Sequence, residues 1–164
     1  MPSTIDKKID KEFVIKSFIE KFESELSALV SSAKAAHAAA THEESKAEDR
    51  HDTFAIEASY LAAGQATRVA ELEKTIQEFD SFLAHRTATR LITYTGDGNT
   101  SHALFANSGG GSKIQIGTGT DQVTIQVLSL KSPLGEELSH GKEGEEITFE
   151  NRGVEKTFRI VKSL

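Results

Sequence analysis

Glu43-Glu44-Ser45-Lys46-Ala47-Glu48-Asp49-Arg50-His51-Asp52 decides how this chain is read, because five of its ten side chains are acidic and only Ala47 suits a core. On its N-terminal side Ile15, Phe18, Phe22, Leu26, Leu29, Ala33, Ala36 and Ala40 recur every three or four residues. That spacing makes one apolar stripe along a helix. On its C-terminal side Ala58, Ala62, Gln65, Val69, Leu72, Ile76, Phe79 and Leu83 make a second. Neither Pro nor Gly interrupts Ser3 to Ala63, and a helix from Asp6 to about His42 would be roughly 55 Å long. Two such stripes around a charged joint predict an antiparallel helical hairpin turning within 43–52. Matching the apolar positions sets Phe22 against Leu72, Phe18 against Ile76 and Ile15 against Phe79. The seam is Phe, Ile and Leu at one end and alanine near the joint, which reads equally as a slim arm less stable towards its tip or as the plain use of the best helix former.

After His85–Thr89, read as a linker, the composition changes. Residues 90–164 hold most of the glycine and the β-branched clusters. Strands are predicted at Arg90–Thr95, Ala103–Ala106, Lys113–Ile116, Gln122–Leu128, Glu146–Glu150 and Lys156–Val161. The clean alternation of Val123, Ile125 and Val127 predicts a half-buried, antiparallel sheet. Gly96-Asp97-Gly98 and Asn151-Arg152-Gly153 are turn signals. Ser132-Pro133 starts a short helix, with Ser as N-cap, and Gly141 ends it. Ser108-Gly-Gly-Gly-Ser112 lacks the Lys-Ser/Thr of a phosphate-binding loop and reads as a flexible hairpin loop. The fold class is therefore α+β: a coiled-coil hairpin over 1–86 and a small sheet domain with one short helix over 87–164.

The bulk numbers narrow the function. The chain has 164 residues, 37% hydrophobic, no cysteine and a net charge of −6. Thiolate metal sites and disulfides are excluded, and a broad basic face for nucleic acid is not expected. No apolar run approaches the roughly 20 residues that span a bilayer, and the N-terminus has no signal-peptide core. The expectation is a soluble, cytoplasmic, monomeric protein. The histidines have no zinc spacing, and no serine sits in a nucleophile elbow, so no self-contained catalytic centre is visible. On composition the acidic stretch reads as a solvated loop between helices; against that stand Asp49 and Asp52, carboxylates three apart near the start of a helix. Both can reach one hard cation from one side, yet Mg²⁺ wants six oxygens, so a partner has to supply the rest.

Taken in order, the chain resembles the bacterial GreA/GreB transcript-cleavage factors. The resemblance spans nearly its whole length and is strongest from Ser132-Pro133-Leu134-Gly135 through Gly141-Lys142, Gly144-Glu145-Glu146 and the strand-turn-strand ending near Val161. Asp49 and Asp52 take the places of that family's tip Asp and Glu. The resemblance implies an FKBP-like C-terminal domain that docks on bacterial RNA polymerase, with Ser132, Pro133, Leu134 and Gly135 at the contact. It implies a coiled coil that enters the polymerase secondary channel. There Asp49 and Asp52 would help hold a second Mg²⁺, shared with the polymerase, and stimulate cleavage of backtracked RNA at its 3′ end. Glu44 and Glu48 stand behind them as further candidates. The factor would not itself be an enzyme. An alternative is a secondary-channel regulator or inhibitor that promotes no cleavage. A coiled-coil module without a polymerase partner is a third reading.

Overall fold

The computed structural model describes residues 9–164 except 42–49, with side chains described for 9–39 and 63–164. Helix α1 spans Lys11–Thr41 and helix α2 spans Arg50–Ala84. The six strands are β1 Leu91–Gly96, β2 Asn99–Ala106, β3 Lys113–Ile116, β4 Val123–Ser129, β5 Glu146–Asn151 and β6 Val154–Ser163, and α3 is Pro133–His140. The chain divides into two compact units: the chain up to Ile19 together with Glu78–Leu164, and Glu20–Gln77.

Helix α1 begins later than its apolar pattern suggests. Asp10 accepts a hydrogen bond from the Phe13 amide at 3.1 Å through Oδ2. This N-cap satisfies one of the orphan donors of the first turn. At 31 residues, α1 is about 46 Å long. The predicted seam on α1 matches the observed burial as far as side chains are described: Phe18 and Phe22 are buried, and Leu26, Leu29, Ala33 and Ala36 are half-buried. On α2 the seam adds Thr75 and Phe82, both buried.

The predicted register is wrong by about one turn. The expected pairs have residue numbers summing to 94, as in Phe22 with Leu72. The observed pairs sum to 97: the Phe18 ring lies 5.7 Å from that of Phe79, and Lys11 Nζ donates to the Arg86 carbonyl at 2.8 Å. In the other unit Gln65 donates to Ser32 at 2.7 Å, which is the same sum. Apolar matching could not find this register because it sets Phe22 near Thr75. That hydroxyl can be buried because it donates to the Glu71 carbonyl one turn back.

All six predicted strands exist within a few residues. The largest miss is β2, whose first half, Asn99-Thr100-Ser101-His102, is polar in sequence. It is a strand because Asp97-Gly98 makes a tight hairpin with β1: both residues have positive φ, 52° and 77°, as a type I′ turn requires. Arg152-Gly153 does the same between β5 and β6.

The expectation of an antiparallel sheet needs correction. The sheet has the order β3-β4-β2-β1-β6-β5, and β2 and β4 run parallel, with Leu104 opposite Val127. The sheet is mixed. Residue alternation reports which faces are buried and carries no information about strand direction, so the parallel pair was invisible. It follows that 108–112 is not a hairpin loop, since β2 and β3 both pair with β4 and not with each other.

One sheet face carries Ile92, Tyr94, Ala103 and Phe105, which cluster with Leu138 of α3. The opposite face carries Leu91, Leu104, Ile114, Ile125 and Val127, all buried. A sheet face this dry needs a second cover. The same compact unit holds Val14, Ile15, Phe18, Phe79 and Phe82 from the ends of α1 and α2, which are also buried.

Candidate functional site

The four acidic candidates fall at the joint of the hairpin. Glu44, Glu48 and Asp49 lie outside the described residues. Asp52 is the third residue of α2, and its side chain is likewise not described. A carboxylate in the first helical turn sits at the positive end of the helix dipole.

The docking candidates are described. Ser132 Oγ accepts from the Gly135 amide at 3.1 Å and donates to the Ser129 carbonyl at 2.7 Å. Pro133 follows as the first helical residue, where its missing N–H costs nothing. At the far end the Gly141 amide bonds the Leu138 carbonyl, closing α3 as predicted. Leu134 is half-buried against the Leu138 cluster, and Gly135 is buried. Ser132 and Gly135 are thus engaged in building the helix, and Lys131, Pro133, Glu136 and Glu137 are exposed side chains nearby.

Two clusters escaped the sequence reading because each joins residues far apart in the chain. Arg90, in the half-buried approach to β1, donates to the carbonyls of Ser139 at 2.5 Å and Gly141 at 2.8 Å and to Ser163 Oγ at 3.0 Å. Its guanidinium caps the C-terminal carbonyls of α3, where a cation also favours the helix dipole. Glu78 accepts four hydrogen bonds, from the Asn107 amide and side chain at 2.7 and 3.0 Å, the Ser108 amide at 3.0 Å and the Ser108 hydroxyl. It ties α2 to the start of the glycine-rich loop. The loop's other end is held by Gly111 and Ser112 bonded to Val127 at 2.9 and 2.8 Å. The loop expected to be flexible is therefore fastened at both ends.

Burial alone would raise the Glu78 pKa, but the bonds from Ser108 and Asn107 outweigh it and hold the carboxyl below its usual value. A depressed folded pKa contributes stability that is present above the unfolded pKa of about 4.3 and is lost as pH falls through the folded value. Glu78→Ala should cost about 1–2 kcal/mol at pH 7, allowing for the group's partial exposure. The gap between the two proteins' urea midpoints should narrow steadily once pH drops below about 4. An unchanged gap at low pH would show that the carboxylate charge plays no part.

A hollow of about 280 Å³ lies beside Glu78, lined also by Phe82, Arg90, Phe105, Leu130 and His140. Glu78 and Arg90 already have their partners, so neither offers a ready acid or base there. Among the described residues no group of three or more His, Asp or Glu is placed to hold a metal ion. None of the described helices is long and apolar enough to cross a membrane.

No protein-family model matches the sequence, and no curated protein matches it. Among solved structures the chain is similar to GreA factor homolog 1 (Gfh1) of Thermus thermophilus, with a TM-score of 0.32 and 13% identity over 93% of this chain and 94% of that one. It is similar also to Gfh1 of Thermus aquaticus, with a TM-score of 0.31 and 16% identity over 88% and 92% of the two chains.

Proposed function

We propose that this protein is a transcription factor of the GreA/GreB type, working on bacterial RNA polymerase from its secondary channel. The observation that carries the reading is the helical hairpin itself. Two helices of 31 and 35 residues pair antiparallel and are joined by a segment rich in acid. In this reading the joint reaches the polymerase active centre and Asp49 and Asp52 assist a second Mg²⁺. Carboxylate oxygens are the donors that Mg²⁺ prefers, and two of them are too few to hold it alone. The metal would be shared with the polymerase, whose own two-metal chemistry cleaves the backtracked RNA. The protein is then an accessory factor and not an enzyme, acting as a monomer in the cytoplasm.

The C-terminal sheet domain is read as FKBP-like and as the docking part. Its contact would fall on Pro133 and the half-buried Leu134, since Ser132 and Gly135 are committed within α3. Arg50 and His51, next to Asp49 and in the first turn of α2 with Asp52, favour a second reading. There the tip binds in the channel but a neighbouring cation competes for the carboxylates, and the protein blocks synthesis without cleavage.

The test is a stalled, backtracked polymerase complex supplied with the wild type, Asp49→Ala or Asp52→Ala. Short 3′ RNA fragments should appear with the wild type, and each variant should lose about tenfold or more of that rate. Equal cleavage by the variants would overturn the site. Reduced RNA synthesis with no fragments from the wild type would favour the inhibitor.

A further inference from the structure

We propose that Gln65 is a register lock for the helical hairpin, a positioning residue paired with Ser32. Gln65 sits in the seam of α2, half-buried, and its Nε2 donates to Ser32 Oγ at 2.7 Å. Its Oε1 is buried and has no hydrogen-bond partner among the described residues. Exchanging the amide's O and N would leave the other atom unpaired, so the cost of a buried polar atom is present in either orientation. A leucine here would avoid that cost and extend the apolar stripe of Val69 and Leu72.

The apolar pattern does not choose this register. Sliding α2 by three residues sets Phe22 against Leu72, an all-apolar match, and moves Gln65 opposite Leu29. The amide would then lose its one partner. The observed register gives up the Phe22–Leu72 match and keeps the Ser32–Gln65 bond. Thr75 satisfies its hydroxyl within its own helix, so among the described residues Ser32–Gln65 is the polar pair that bonds across the seam, and a cross-seam polar pair is the best-attested device for fixing helix register at the expense of stability. The alanines beyond Ser32 are too alike to choose a register, which is where a lock is most needed. A three-residue slip shifts one helix by about 4.5 Å and changes which residues occupy the joint. That last consequence rests on the proposed function; the lock itself rests on the helix pairing alone.

The chain has no cysteine, so introduced pairs report the register directly. Leu29 and Val69, both half-buried and within one residue of the observed sum of 97, report the observed register when both are cysteine, and Leu26 with Val69, equally close to the slipped sum of 94, reports the slipped one. Equilibrated in a glutathione buffer, the full chain should favour the 29/69 disulfide. Gln65→Leu should reduce that preference about tenfold, the worth of one hydrogen bond. Gln65→Ala with Ala62→Gln moves the amide opposite Ser32 in the slipped register, and the preference should reverse towards 26/69. An unchanged ratio in both variants overturns the lock. So does a loss of preference without reversal, because that is what mere loosening would give. The assay contains no polymerase, so it succeeds or fails independently of the cleavage assay.

Discussion

Phe18→Ala should lower the free energy of unfolding by about 3–5 kcal/mol, a large part of the roughly 5–15 kcal/mol that holds a domain together. The Phe18 side chain is fully buried. Its ring packs on Phe79, and Phe79 packs on Phe82 at 5.3 Å, both pairs tilted. Tilted aromatic pairs add to the area term because ring edge and ring face attract. Removing the ring leaves a cavity walled by side chains that other contacts hold in place, and the surroundings can collapse only partly. Phe13 supplies the control. It lies on the same helix, but 53% of it is exposed, so Phe13→Ala should change stability by about 0.5 kcal/mol or less. The measurement is urea unfolding of both variants followed by far-UV and near-UV circular dichroism. Comparable small shifts in the two would mean that the Phe18–Phe79–Phe82 cluster is not a core.

The contrast between Phe13 and Phe18 was legible in the sequence, because periodicity assigns a face to every helical residue. Phe18 lies on the stripe with Phe22 and Leu26, and Phe13 does not. The ends of α3 were legible for the same local reason, since a cap is written within four residues of the turn it closes. Register and strand direction are decided by contacts between distant segments. A pattern of apolar positions favours the register that sets Phe22 against Leu72 over the one that pairs Ser32 with Gln65, and a β4 read alone has no direction. The fastening of the loop at 108–112 is not legible in the sequence because its anchors, Glu78 and Val127, lie far off in the chain.

The candidate site divides along the same line. That the joint carries acid is a statement about composition and needs no structure. Ser132-Pro133-Leu134-Gly135 was singled out as a block by resemblance, and the structure separates its members. Two of them make the start of α3, which is reason enough for their identity. Pro133 and Leu134 are left as the ones with surface to offer. No local signal distinguishes these roles, because the Ser129 carbonyl that both Ser132 and Gly135 approach becomes their neighbour only when the turn forms.

Gly135→Ala should therefore be strongly disruptive for a change of a single methyl. The added Cβ would overlap the Ser129 carbonyl oxygen and lie 2.7 Å from Ser132 Oγ. The first neighbour is backbone, which cannot swing away as a long side chain would. That same oxygen accepts from the Ser132 amide at 3.0 Å and from its hydroxyl at 2.7 Å. Making room for the methyl pulls the carbonyl off both donors and loosens the N-cap. Overpacking of this kind costs about 1–3 kcal/mol, and each lost hydrogen bond about 1 more, so a loss of about 3 kcal/mol or above is expected. Gly64 is the opposite case. It lies inside α2, and a methyl added there would meet nothing within 4 Å among the described residues, so Gly64→Ala should stabilise the protein by about 0.8–1 kcal/mol through helix propensity alone. Urea midpoints moving in opposite directions for the two glycines would support both statements, and a Gly135→Ala protein as stable as the wild type would refute the close packing at the start of α3.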